Sequence, residues 1–168
     1  MRVHFIDTSV FTNILNVPNR NQQRAEIMAE LTNLENSSTD LLILPFAAII
    51  ETGNHIAHNG DGNQRRKAAE DFSKVIIKTI RDEAPWHYYG RQLTEDDLNI
   101  ICKDFPDSAM RGEGFGDLSI IRAFERFKNE TPGIERIRIW SLDTHLSSYD
   151  EEIAPIKRRN QEKRGLSR

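Results

Sequence analysis

Short apolar, β-prone runs alternate along this chain with longer stretches in which apolar residues recur every three or four positions. Unbroken apolar runs of four residues suit strands buried on both faces, and the longer periodic stretches suit amphipathic helices. Val3-His4-Phe5-Ile6 is the first predicted strand. Thr8 or Ser9 can cap the helix after it, with Val10, Phe11, Ile14 and Leu15 as its stripe. Residues 18–21, opening with Pro18, break that helix, and a second is predicted over 22–35. The turn-rich residues 36–40 lead into a second strand, Leu41-Leu42-Ile43-Leu44. Pro45 then starts a helix whose apolar face is predicted to be Phe46, Ile49, Ile50, Gly53 and Ala57. A loop over 59–62 precedes a strongly patterned helix over 64–81, with Ala68, Phe72, Val75, Ile76 and Ile80 inward.

The second half is less regular. Residues 84–90 read as irregular. Thr94-Glu95-Asp96-Asp97 resembles a capping box with Asp in the usual Glu place, and Leu98, Ile101, Cys102 and Phe105 carry a helix that Pro106 is expected to end. Residues 111–116, with three glycines, predict a flexible approach to Asp117. Ile120, Ile121, Phe124 and Phe127 then form a helix stripe. After a Pro132-Gly133 turn, a strand over 136–142 runs into Asp143. Three strand-to-helix transitions in this order predict an α/β fold with a parallel sheet covered by helices.

Composition narrows the class. The 168 residues are 38% hydrophobic and 29% charged, which suits one folded domain with its own core. A net charge of −3 gives no overall polyanion-binding signal. A single cysteine, Cys102, excludes an internal disulfide and fits a reducing compartment. Charged residues at the start argue against a signal peptide, and the longest apolar run is well short of the roughly 20 residues of a membrane span. The expectation is a cytoplasmic protein. The last stretch, 157–168, has six basic residues against one acid. It divides the chain into a domain over 1–156 and a basic tail, solvated or in contact with RNA or a partner.

The chemistry lies in four acids. Asp7 ends the first strand, Glu51 sits on the helix after the second, Asp117 lies at the start of a helix, and Asp143 ends the last strand. In a doubly wound sheet these places fall at the carboxyl edge of the strands, where ligands gather. Each acid alone has a plain reading as a helix cap, a turn residue or an exposed helix residue. Together, without a neighbouring Lys or Arg, they repel, and a divalent cation relieves that repulsion. Four hard oxygen donors suit Mg²⁺ or Mn²⁺. Two such ions serve phosphodiester hydrolysis, one activating water and one steadying the leaving 3′-oxygen.

Ile6-Asp7-Thr8-Ser9-Val10, Glu51, Gly116-Asp117 with Ile120-Ile121, and Ser141-Leu142-Asp143, in this order, resemble the PIN-domain ribonucleases, most of all the VapC-type toxins of toxin–antitoxin modules. The resemblance covers about residues 1–150. It implies a PIN-like three-layer α/β/α fold with a central, mainly parallel β-sheet, and a Mg²⁺- or Mn²⁺-dependent endoribonuclease. It implies RNA as substrate, a cognate antitoxin and a homodimer. By motif position it gives the metal-binding and catalytic roles to Asp7, Glu51, Asp117 and Asp143, and supporting roles to Ser9 and Ser141. His145 stands where many members carry a further Asp, and residues 78–106 hold extra material.

Other residues have competing readings. Arg65, Arg66 and Lys67 could hold RNA phosphates or form a solvated helix start. Trp86, Tyr88 and Tyr89 could stack on bases, or pack into the core or against a second copy. Glu51, His55 and His58 share helical spacing that can bind Zn²⁺, and His145 could act in proton transfer or sit plainly at the surface. The functional alternative to the nuclease is a catalytically inactive PIN-like RNA-binding or scaffold protein. A phosphatase of the haloacid dehalogenase type, which also opens on strand and Asp, would need a second Asp where Ser9 stands.

Overall fold

A computed structural model describes residues 1–91 and 93–153; the expected basic tail lies outside them. Five strands form one sheet in the order β3-β2-β1-β4-β5. They are β1 (Arg2–Ile6), β2 (Asp40–Pro45), β3 (His87–Tyr89), β4 (Arg136–Trp140) and β5 (Asp150–Glu152). The first strand is central. Phe5 lies opposite Ile43 of β2 and Ile139 of β4, both in parallel. β3 continues the parallel pairing beyond β2, and β5 closes the far edge in the antiparallel sense.

The helices fill the crossovers. α1 (Thr8–Ile14) and α2 (Arg24–Glu35) lead from β1 to β2, and α3 (Phe46–Ala57) and α4 (Gly62–Ile80) from β2 to β3. α5 (Glu95–Met110) and α6 (Phe115–Glu130) return the chain to β4, and the short α7 (Thr144–Ser147) precedes β5. Because the return runs opposite to the outward path, right-handed crossovers put α5 and α6 on the other face. Side chains agree. The Phe5 ring meets Phe124 and Phe127 of α6 edge-on, at 6.0 and 5.5 Å between centroids. Arg138, on β4, reaches Glu30 of α2 at 2.5 Å. The result is a mainly parallel sheet covered by helices, as the pattern of runs predicts, in the three-layer α/β/α arrangement that the resemblance implies.

A polar chain crosses the sheet at the amino end of its strands. The Nε2 of His4 lies 2.7 Å from Asp40 Oδ1, and Arg138 Nε donates to its Nδ1 at 2.7 Å. Since Nδ1 accepts, His4 is the neutral tautomer with its proton on Nε2, directed at Asp40. Arg2 also donates to Asp40. Burial lowers the His4 pKa against the opposing pull of Asp40. At Asp40 burial raises the pKa, but hydrogen bonds from Ser37, His4 and Arg2 outweigh it and hold the carboxyl at about 2.

Several elements depart from expectation. β3 occupies the stretch expected to be irregular; three residues are too few to show an alternation. β5 is an all-acidic strand, held by charge rather than burial: Arg136 reaches Asp150 at 2.6 Å and Lys128 reaches Glu151 at 3.0 Å. α5 runs through Pro106 instead of ending there. It ends at Met110, where Gly112, at φ 84°, turns the chain and the Glu113 N–H donates to the Ser108 carbonyl at 3.0 Å. The glycine-bearing approach to Asp117 thus opens as a hydrogen-bonded helix end. α3 is rolled relative to its predicted face. Ala48, Thr52 and Ile56 are buried, while Phe46 and Ile50 stay 52% and 48% exposed. In α4 only Thr79 is buried, and Ile80 points to solvent. In α5 Ile101 is buried as expected, but Leu98 and Cys102 are exposed.

Candidate active site

β1 ends at Ile6, and Asp7 caps the helix that follows, so the capping role falls to Asp7 and not to Thr8 or Ser9. Its Oδ2 accepts from the Ser9 N–H at 3.2 Å, the Ser9 hydroxyl at 2.7 Å and the Ser141 hydroxyl at 2.8 Å. The Ser9 Oγ in turn accepts from the Leu142 N–H at 3.0 Å, and the Ser141 Oγ from the Asp143 N–H at 3.0 Å. Two serines thereby join the carboxyl ends of β1 and β4, neighbours at the point where the strand order reverses.

The other three acids are held as firmly. Glu51, on α3, accepts from the Thr8 hydroxyl through Oε2 at 2.8 Å. Asp117, in the first turn of α6, accepts from the Gly114 N–H through Oδ2 at 2.7 Å. Asp143 caps α7, its Oδ1 accepting from the N–H groups of His145 and Leu146 at 2.8 and 3.1 Å. A common arrangement emerges. Each carboxylate commits one oxygen to a fixing hydrogen bond. Asp7 Oδ1, Glu51 Oε1, Asp117 Oδ1 and Asp143 Oδ2 receive none from the described residues. Among the described residues none of the four forms a salt bridge.

Their charges feel one another. Burial raises the Glu51 pKa, the Thr8 hydrogen bond opposes that, and Asp117 and Asp7 add to it. Burial likewise raises the Asp117 pKa, against the Gly114 N–H, with Asp7 and Asp143 adding repulsion. The α6 N-terminus favours a carboxylate at Asp117, yet burial and repulsion prevail. Oxygen donors alone, oriented, mutually repelling and without a basic partner, suit a hard divalent cation. As they stand, no three of the described His, Cys, Asp and Glu side chains converge tightly enough to ligate one ion together. That applies equally to Glu51, His55 and His58, where the His58 Nδ1 lies 2.7 Å from the Asn54 carbonyl oxygen.

Three residues near the acids carry more of the geometry than their sequence context announced. Thr8 holds Glu51. Gly116 lies directly beneath the Glu51 carboxylate, so a Cβ there would overlap it. Glu113 is a further acid, spent on its own partners: Arg111 donates twice at 2.9 Å, and His145 Nδ1 lies 3.2 Å away. The hydrogen bond from Arg111, opposed by burial, leads the causes that hold the Glu113 carboxyl at about 2. A Gly immediately before the helix-start Asp was the available signal for Gly116; the sequence marked Thr8 only as a cap and motif residue and did not mark Glu113.

The remaining candidates scatter. Arg65 turns back to the Asn59 carbonyl at 3.2 Å, Arg66 pairs with Glu70 at 3.0 Å, and Lys67 is exposed. Trp86 is buried and donates to the Thr79 hydroxyl at 2.9 Å. Tyr89 packs edge-on against Phe5 and Phe127, while Tyr88 remains 41% exposed.

No helix among the described residues is long and apolar enough to cross a membrane. Compared by sequence with family models and with curated proteins, the chain matches none. Compared by structure, it is similar to the toxin VapC20 of Mycobacterium tuberculosis, described as cleaving the sarcin–ricin loop. The TM-score is 0.55 at 16% identity, over 86% of this chain and 93% of that one. The likeness is one of fold: the chain has the VapC-like, PIN-type architecture.

Proposed function

We propose that this chain is a metal-dependent endoribonuclease hydrolysing RNA phosphodiester bonds, and the toxin of a type II toxin–antitoxin module. One observation carries the reading. Four acids from four separate segments stand at the carboxyl edge of the sheet, each with one oxygen fixed and one uncommitted, and none with a basic partner among the described residues. The fold shared with a VapC ribonuclease toxin supports the same class. Asp7, Glu51, Asp117 and Asp143 would hold Mg²⁺ or Mn²⁺, which supplies the positive charge that makes an attacking water more acidic and stabilises the reacting phosphate. Ser9 and Ser141 fix the Asp7 rotamer, and Thr8 fixes Glu51. Arg65, Arg66 and Lys67 contact RNA phosphates outside the reacting centre. A cognate antitoxin and a second copy of the chain complete the assembly.

The test is cleavage of total RNA with Mg²⁺ or Mn²⁺ by the wild type and by Asp7→Asn, which keeps the cap but removes the charge. The variant is expected to lose more than about 10²-fold in rate. Equal cleavage by both proteins, or none by either, would overturn the proposal. A catalytically inactive RNA-binding protein is the second reading, favoured by the absence of a converged ligand set among the described residues. Calorimetric titration separates the two: the nuclease binds Mn²⁺ and Asp7→Asn does not, whereas the inactive protein binds RNA and no metal.

A further inference from the structure

Beside the acids a cavity of about 490 Å³ opens between α3, α6 and the edge strand β3. Glu51 and Gly116 line one end of it, so the cavity is continuous with the proposed reaction centre. Its walls are aromatic and aliphatic: Phe46 and Ile50 from α3, Tyr88 from β3 and Phe115 from α6, each 38–52% exposed. These side chains are what left α3 rolled away from its predicted face. The Tyr88 ring folds across Gly90 so closely that a Cβ at residue 90 would collide with it. The glycine therefore lets a ring form this wall.

Polar groups enter the apolar space at separate points. Tyr89 lines the cavity, and its hydroxyl is buried without a hydrogen-bond partner among the described residues. Asn54 lines it too, and its side-chain amide makes no hydrogen bond to a described residue. Arg91 and Arg122 line it as well, Arg91 paired with Glu130 and Arg122 with Asp97 at 2.9 Å. A volume of several hundred Å³, mostly apolar walls and a few convergent polar groups describe a small-molecule site. Flat aromatic walls with an amide suit a planar heterocycle that both stacks and hydrogen-bonds. The two guanidiniums on its lining suit the anion attached to it.

We infer that this cavity is a nucleobase subsite, which takes one unstacked nucleotide of the RNA next to the bond to be cut. The inference rests on the nuclease reading and deepens it, because a base held here fixes which nucleotide flanks the reacting phosphodiester. Base selection then belongs to Phe46, Tyr88 and Asn54, outside the acids.

Two measurements separate this inference from the nuclease reading. In the first, nucleoside 5′-monophosphates are titrated into the metal-free protein with EDTA and followed by NMR chemical shifts, with ribose 5-phosphate as the baseless control. Shifts are expected around Phe46, Asn54, Tyr88 and Phe115 with the nucleotides and not with ribose 5-phosphate. Phe46→Leu and Tyr88→Leu should each weaken binding about tenfold, the scale of one stacking contact, while Tyr88→Phe should bind as the wild type. Melting temperatures of the variants establish that they fold. In the second, the base flanking the cut sites in total RNA is read for the wild type and Asn54→Ala. A changed base preference at the sites cut is expected; an unchanged preference overturns the inference.

Shifts equal with ribose 5-phosphate, or absent at these residues, overturn the inference even if RNA is cleaved. So does a response of the same residues to dilution alone, or to acetyl-Leu-Leu-Leu-amide and not to nucleotides; a second copy or a protein segment is then the occupant. Nucleotide binding here without RNA cleavage leaves the base site standing and removes the nuclease.

Discussion

At Gly116 a Cβ would overlap the Glu51 carboxylate, so the carboxylate sits where it does only because residue 116 has no side chain. Gly116→Ala is expected to push Glu51 aside and slow RNA cleavage on the order of 10²-fold, with the fold kept; circular dichroism and cleavage kinetics on one preparation check both halves. Thr8→Val removes the hydroxyl that fixes Glu51, with a loss of about 10–100-fold. Repulsion at the site also has a stability consequence. A carboxyl whose pKa is raised on folding binds its proton more tightly in the folded state. Its contribution therefore turns unfavourable as pH rises through the carboxylate range. Glu51 and Asp117 both behave this way, so Glu51→Gln is expected to melt higher than the wild type at pH 7 without metal, by thermal denaturation in EDTA. A lower melting temperature would contradict the electrostatics described for the site. At this scale the sequence showed the acids, because a carboxylate after a strand stands out. It hid the supports of Glu51, because a threonine or glycine hydrogen-bonding or packing across forty or more residues leaves no local trace.

Among the elements, those with a strong period were readable and those held by charge or by small residues were not. β1, β2 and β4 announce themselves as apolar runs, and the Thr94–Asp97 capping box is present as expected, with Asp97 N donating to Thr94 Oγ1 at 3.2 Å. β5 has no apolar residue to show. α3 misled because its most hydrophobic stripe borders the cavity, whereas Ala48 and Thr52 make the buried contacts. Pro106 misled because α5 is largely exposed, and the Cys102 carbonyl deprived of an N–H donor can turn to water. Restoring that donor is expected to help: Pro106→Ala should stabilise the protein by about 1–3 kcal/mol in urea denaturation. A destabilised variant would mean that the proline fixes a bend that α5 needs.

For the molecule as a whole, the two edges of the sheet carry opposite electrostatic tendencies. At the carboxyl edge acids repel; at the amino edge His4, Asp40, Arg2 and Arg138 attract. His4 is held neutral with a lowered pKa, so the folded state binds fewer protons than the unfolded one below the ordinary histidine value. Stability is lost there as pH falls below about 6.5. Asp40, 2% exposed and held at about 2, adds stability above its unfolded value that is lost as pH falls from about 4 towards 2. Asp40→Asn is expected to cost about 1–2 kcal/mol at pH 7 and to lose that cost near pH 2, read from denaturant curves at both values. A cost unchanged at pH 2 would remove the ion network from the account. The parallel sheet and its layers followed from the order of runs along the chain. Which edge strands join it did not, since β3 and β5 depend on partners chosen by the finished fold.

The central place of the first strand has a consequence for a chain still being made. β1 is made well before β4, its neighbour on one side, which spans residues 136–140, and the hydroxyl that steadies Asp7 belongs to Ser141. An unfinished polypeptide therefore lacks both the wall and the latch of its acidic pocket. Synthesis order itself delays the assembled pocket until Ser141 has left the tunnel.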